Sequence, residues 1–254
     1  MLVFDIETEP LEESRLRELL PPFDSDNVDG LVTGEFDPSK VKLGNLKDEA
    51  KKQEKIEAAR KAHEEAVANS ASIILQAEQD HWKRFVDSCC LSAVTSRVLA
   101  IGYHAPDKSK TVIHAVNEEH TEEQIIAAFW QYYANCRQER RHIVGVNILG
   151  FDVPYVLRRS WILGVEVPDK VYDGRYFDRT FIDLCDYWKT GNFRSSEPAN
   201  FDALARAFGT VGKNGQSGKY FHEMWKVNRG DAIAYLKSDV EQPAIWARRM
   251  GIVT

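Results

Sequence analysis

The sequence predicts an α/β fold: one mixed five-stranded sheet with helices on both faces, plus a helical insertion after the first strand. Three observations predict it. Short apolar stretches of strand length stand at the start of the chain and again beyond position 95. Helical patterns alternate with the later ones. Between the two groups lies a long charged stretch whose apolar residues fall on a thin stripe at helical spacing.

Residues 1–7 read as a strand, with Leu2, Phe4 and Ile6 on one face, Val3, Asp5 and Glu7 on the other, and Pro10 closing it. A short helix is expected over 12–20, then irregular loop to about Asp37, marked by Pro21-Pro22, Gly30 and Gly34. Residues 46–86 read as helical, with Leu46, Ala50, Ile56, Ala59, Ala66, Ile73, Ala77 and Phe85 on the stripe; Asn69-Ser70-Ala71-Ser72 is expected to break it into a hairpin. Residues 97–103 and 110–116 read as an antiparallel pair joined through Pro106-Asp107. A helix over 122–137 capped by Thr121 follows, then a buried strand over 142–146 and a helix over 153–163 ended by Gly164. Residues 180–184 supply the fifth strand. A helix over 201–208 ended by Gly209, a glycine-rich basic loop over 209–218 and a last helix over 231–250 complete the order. The chain, 1–254, is expected to form a single domain, with 24–90 as a mainly helical insertion.

Composition narrows the function. Hydrophobic residues are 43% and aromatics 11%, and no apolar run approaches the roughly 20 residues that cross a bilayer. The chain opens on Leu2-Val3-Phe4 with no basic leader, which points to the cytoplasm. A net charge of −6 argues against coating nucleic acid by bulk positive charge, so a nucleic-acid partner needs a local patch or bound metal. Cys89, Cys90, Cys136 and Cys185 lack CxxC spacing and read as reduced and mostly structural. His114, His120 and His222 form no spaced set, Cys89-Cys90 has no basic neighbour in sequence, and no Walker-type glycine loop is present.

Asp5 and Glu7 share the face of a strand that otherwise wants burial. At about 4 Å and an effective dielectric near 20, two such charges repel by about 4 kcal/mol. Either something positive sits there or the strand end faces water. Asp152 follows a buried strand and a turn at Gly150 and opens a helix, as a cap or as a ligand. Tyr235 precedes Asp239 by one helical turn and shares its face, as a core tyrosine or as a site residue. Asp183 follows an apolar strand and could approach the site, but reads more readily as a cap or surface acid. Lys213, Lys219, Lys226 and Arg229 surround the glycine-rich loop, where they either track phosphates or, more commonly for such a stretch, are solvated.

In order and context these pieces resemble the three motifs of the DEDD superfamily of ribonuclease H-like 3′-to-5′ exonucleases. Phe4-Asp5-Ile6-Glu7-Thr8 is similar to the first, 147–152 to the second, and Tyr235-Leu236-Lys237-Ser238-Asp239 to the third. Tyrosine four residues before the last aspartate, with Ala234 where another branch has histidine, resembles the tyrosine (DEDDy) branch, and within it stand-alone bacterial and phage enzymes related to the proofreading domain of family B DNA polymerases. The resemblance covers about 1–10 and 92–250; the insertion departs from it.

The resemblance implies a ribonuclease H-like fold, two Mg²⁺ or Mn²⁺ ions held by Asp5, Glu7, Asp152 and Asp239, and Tyr235 orienting the attacking water. Hard oxygen ligands suit those ions. Thr8, Asn147 and Phe151 are the expected substrate contacts, although Asn147 and Phe151 fit a structural role equally well. The implied substrate is single-stranded DNA or a frayed 3′ end, with RNA as the alternative, in proofreading or repair beside a polymerase partner. The rival reading is a nuclease-fold module that binds nucleic acid or a polymerase without cutting.

Overall fold

A computed structural model describes the chain except residues 26–27, 30–31, 33, 45–47, 193, 214, 216 and 253–254. Leu46 and Gly30, singled out above, therefore lie outside the described residues. In chain order the strands and α-helices are β1 (Leu2–Pro10), α1 (Glu13–Leu19), α2 (Glu49–Ser88), β2 (Ser96–Ala105), β3 (Lys110–Ala115), α3 (Glu122–Gln138), β4 (Ile143–Gly145), α4 (Asp152–Leu163), β5 (Phe181–Asp183), α5 (Leu184–Trp188), α6 (Phe201–Phe208), α7 (Phe221–Val227) and α8 (Arg229–Arg249). They fall into two compact units, residues 1–13 with 89–254, and residues 14–88.

The larger unit is an α/β domain on a five-stranded mixed sheet ordered β3-β2-β1-β4-β5. β1, β2 and β3 pair antiparallel as a meander, while β4 and β5 join β1 in parallel. Alternation along β1 sorts its side chains to two cores. Leu2, Phe4 and Ile6 pack with Phe129, Trp130 and Tyr133 of α3 and with Val153 and Val156 of α4. Val3 packs on the other face with Leu204 of α6 and with Val240, Ala244 and Trp246 of α8. Burial of each large apolar side chain contributes about 1.5–3 kcal/mol. The carboxylates of Asp5 and Glu7 thus belong to the α8 face, as the period of two requires.

A side chain missing from β2 sets how closely α8 approaches. Gly102 pairs with Asp5, and a Cβ there would lie 2.9 Å from Leu236 Cγ and 3.2 Å from Val240 Cγ1. Without it, the stretch carrying Tyr235 and Asp239 lies directly over the strand that carries Asp5 and Glu7.

In the smaller unit α2 runs unbroken for 40 residues, about 60 Å at helical rise. The hairpin expected at Asn69-Ser70-Ala71-Ser72 is absent. Asn and Ser cost the helix only tenths of a kcal/mol each, too little to break a helix propagating from both sides. The Ser70 hydroxyl lies 3.0 Å from the Ala66 carbonyl and 3.2 Å from that of Val32, and it accepts from the Val32 N–H. The preceding segment runs back along the helix: Arg17 stacks on Trp82, His81 donates to the Pro21 carbonyl, and His63 donates to that of Gly34. Among the described residues, no helix is long and apolar enough to cross a membrane.

Candidate active site

Three backbone devices bring the acids together. β1 carries Asp5 and Glu7, the close approach at Gly102 brings Asp239 of α8 against them, and the turn after β4 delivers Asp152. Carboxylate oxygens of Asp5, Glu7 and Asp239 all lie within 4.8 Å of one another. Asp152 is tied alongside: its Oδ1 accepts a hydrogen bond from the Ile6 N–H at 3.0 Å, between Asp5 and Glu7 in the strand. Of the four acids singled out in the sequence, the structure clusters three tightly and puts the fourth on the same cavity wall. Glu7, Asp152 and Asp239 are all buried.

The turn from β4 into α4 is held by a residue that the sequence left as a surface acid or simple cap. Asp183 is 5% exposed and accepts from the N–H groups of Asn147 and Leu149, both at 2.9 Å, while also capping α5 through Cys185 N. Asn147 adopts φ +60°, a left-handed conformation that asparagine tolerates better than most residues. A Cβ on Gly150 would sit 2.4 Å from Asn147 Oδ1, so glycine there lets the turn close on that side chain. Asn147 therefore has a structural task besides lining the cavity. Phe151, in contact with the Tyr155 ring, and Thr8, whose hydroxyl donates to the Cys90 carbonyl, line the cavity as well.

The largest departure from the sequence reading is Lys213. Its place in a glycine-rich loop suggested a solvated or phosphate-tracking lysine. Instead the ammonium reaches into the acid cluster, 2.7 Å from Asp239 Oδ2, and donates to the Tyr235 hydroxyl at 2.9 Å. It also lies over the rings of Phe201 and Tyr235. The loop backbone is pinned for this purpose, because Lys213 N–H donates to Asp202 and Gly212 N–H to Gln242. The only sequence signal was a single lysine among glycines. Lys219 lines the same cavity, whereas Lys226 and Arg229 are exposed.

Burial and mutual repulsion set the electrostatics. Asp5 and Glu7 are held well above the ordinary carboxylate range, first by burial and then by neighbouring acids, with Lys213 opposing. Burial pushes Asp152 up to about 7 against the Ile6 hydrogen bond, and raises Asp239 against the pull of Lys213. Burial alone would lower Lys213, but Asp5 and Asp239 outweigh it and keep the amine charged. One ammonium against this group of acids leaves excess negative charge when they ionise. Clustered hard oxygens carrying more negative charge than one ammonium offsets fit divalent cations of the Mg²⁺ or Mn²⁺ type.

The cluster opens on a cavity of about 560 Å³ lined by Asp5, Glu7, Asp152, Phe151, Lys213 and Lys219 among others. A five-stranded mixed sheet of this order, flanked by helices and carrying acids on its central strand, is a ribonuclease H-like fold. Residues 88–250 match the family described as a predicted 3′-5′ exonuclease related to the exonuclease domain of PolB, and the chain belongs to that family. Exonucleases of this kind normally use divalent metals. The matched span holds Asp152, Tyr235 and Asp239; Asp5 and Glu7 precede it and reach the cluster through the β1 pairing. No curated protein matches the chain.

Proposed function

We propose that the protein removes nucleotides from the 3′ end of single-stranded DNA, or of frayed duplex ends, and releases nucleoside 5′-monophosphates. The observation that carries this reading is the convergence of Asp5, Glu7 and Asp239 within 4.8 Å, beside Asp152, in a member of an exonuclease family. Asp5, Glu7, Asp152 and Asp239 would hold two Mg²⁺ or Mn²⁺ ions. Such ions, when bound, acidify a water and offset charge on the departing 3′ oxygen.

The chain's own groups do the rest. Tyr235 offers a phenol beside Asp239 that orients the attacking water without having to take its proton, as in the tyrosine branch of these enzymes. Burial foremost keeps that phenol protonated, its pKa held well above the ordinary value. Lys213 fixes the phenol from the cavity side. Phe151 presents a ring to a terminal base, and Thr8 and Asn147 border the sugar-phosphate path. Residues 14–88 form an arm inserted into this single catalytic domain, serving long strands or a polymerase partner.

Polarity and sugar preference are read together with matched DNA and RNA oligonucleotides labelled at the 5′ end, the 3′ end, or blocked at the 3′ end. The proposal expects immediate release of the 3′ label as mononucleotide, a descending 5′-labelled ladder, protection by the 3′ block, and slower action on RNA. Internal cuts in the blocked strand would overturn it.

A further inference from the structure

Three lysines line the cavity among the described residues, and they stand in different places. Lys213 is committed to Asp239 and Tyr235. Lys219 follows Gly218, where a Cβ would lie 3.1 Å from Glu7 Oε2, so its backbone borders the acid cluster. Lys189 instead caps the C-terminal end of α5, which follows directly on β5. In the sheet β5 lies two strand spacings from β1, roughly 10 Å. Of the three, Lys189 is therefore the cation displaced along the sheet from Asp5 and Glu7.

The donors on this part of the wall are one-sided. A lysine ammonium offers three N–H donors and no acceptor. Asn200, which also lines the cavity, is the N-cap of α6, and its Oδ1 accepts from the Ala203 N–H at 2.9 Å. With the oxygen given to the helix, the N–H donors of Nδ2 are left for a guest. Asp186 opposes them: it lines the cavity three residues before Lys189, whose positive charge bears on it. A backbone phosphate is acceptor-only, recurs at every step of a strand and outbids one carboxylate for two sets of donors that carry no base preference.

We propose that Lys189, helped by the Asn200 amide, anchors the backbone phosphate on the 5′ side of the scissile one, so that the strand leaves the acids toward β5. The assignment rests on the 3′-exonuclease reading and gives its substrate a direction and a length requirement. A dinucleotide carries only the scissile phosphate and gains nothing from Lys189, whereas a trinucleotide carries one phosphate more. The contact tightens binding of any sequence and adds to its salt dependence. Lys189 touches neither the scissile phosphate nor the attacking water, so its share falls on KM and not on kcat.

The test gives the full chain, with Mn²⁺, three DNA substrates: a dinucleotide, a trinucleotide, and the same trinucleotide with a neutral methylphosphonate in place of its 5′ phosphate. The wild type should cut the plain trinucleotide with the highest kcat/KM. Lys189→Gln should lower that value by about tenfold through KM, and the loss should vanish on the other two substrates, which lack the charged phosphate. Asn200→Ser keeps an oxygen for the helix cap, removes the amide donors and should show the same pattern more weakly. Lys226→Gln, at an exposed lysine away from the cavity, should change none of the three. A loss in Lys189→Gln equal on all three substrates, or a wild type indifferent to the methylphosphonate, would overturn the anchor and leave the exonuclease reading standing. A wild type that cuts none of them would overturn both.

Discussion

The Lys213 ammonium lies 2.7 Å from the Asp239 carboxylate, with side-chain exposures of 23% and 3%. The lysine therefore offsets part of the charge that the acid cluster concentrates under the cavity. Lys213→Met should destabilise the metal-free protein by up to about 3 kcal/mol, below the full cost of breaking a buried pair because the lysine is partly hydrated. The same variant should bind Mn²⁺ more tightly, since a competing cation is gone. Thermal unfolding with chelator and with saturating Mn²⁺ checks both: the gap to the wild type should narrow with metal, and a gap independent of metal would assign Lys213 to packing.

A pH dependence follows from the raised carboxylates. With Asp152 pushed up to about 7 from an ordinary value near 3.8, the folded state holds its proton more tightly than the unfolded state. Stability of the metal-free protein should then fall as pH rises from about 4 through 7, while Mn²⁺ affinity climbs as the ligands ionise. Asp152→Asn removes its share of the penalty and should make the profile in chelator shallower, with the rest of the slope left to Asp5, Glu7 and Asp239. A wild-type profile that rises across that window would contradict the assignment of charge.

Asp183 holds the turn that presents Asn147, Phe151 and Asp152, through two 2.9 Å hydrogen bonds to Asn147 and Leu149. Hydrogen bonds to a charged group contribute about 1.5–3 kcal/mol each. Asp183→Ala should lower unfolding stability by at least about 2 kcal/mol in urea titration and reduce cleavage, whereas Asp183→Asn should be milder. A stable Asp183→Ala variant with full activity would mean that the turn is fixed by other contacts.

Much of this arrangement was legible in the sequence. The alternation through Leu2, Phe4 and Ile6 located the core strand, and helix ends at Gly164 and Gly209 were visible because a left-handed terminus favours glycine. The order of Asp5, Glu7, Asp152, Tyr235 and Asp239 pointed to one site. Long-range pairings were not legible: nothing near Lys213 in sequence announces Asp239. The continuity of α2 was hidden for another reason, since Ser70 owes its partner to the distant Val32 backbone.

Residues 14–88 form their own compact unit, and the ends they connect are adjacent, because Pro10 pairs with Ser96 and the Leu11 N–H donates to the Thr95 carbonyl. A short flexible linker can therefore replace the arm. The shortened protein should fold and cut a dinucleotide at an unchanged rate, yet act more slowly on long single strands. Equal rates on both substrates would give the arm a role away from the nucleic acid.

Tyr235→Phe deletes one oxygen and keeps the ring that packs against Phe221. The expected loss is at or below the usual general acid–base contribution of about 10² to 10⁴ in single-turnover rate, with oligonucleotide affinity in Ca²⁺ unchanged. An unchanged rate would assign Tyr235 to packing, and a large loss of affinity would assign it to substrate binding.

The most direct measurement is single-turnover release of the 3′-terminal nucleotide from a labelled single-stranded DNA, with Mg²⁺ and with Mn²⁺, by the wild type, Asp5→Asn and Asp239→Asn. The account predicts stepwise mononucleotide release by the wild type and near abolition in both variants. Asp5→Asn should keep its fold because it relieves like-charge repulsion among buried acids, whereas Asp239→Asn also loses the Lys213 ion pair, so thermal unfolding verifies that each variant is folded before its rate is compared. Cleavage near the wild-type rate in either variant, or a wild type inactive with both metals, would contradict it.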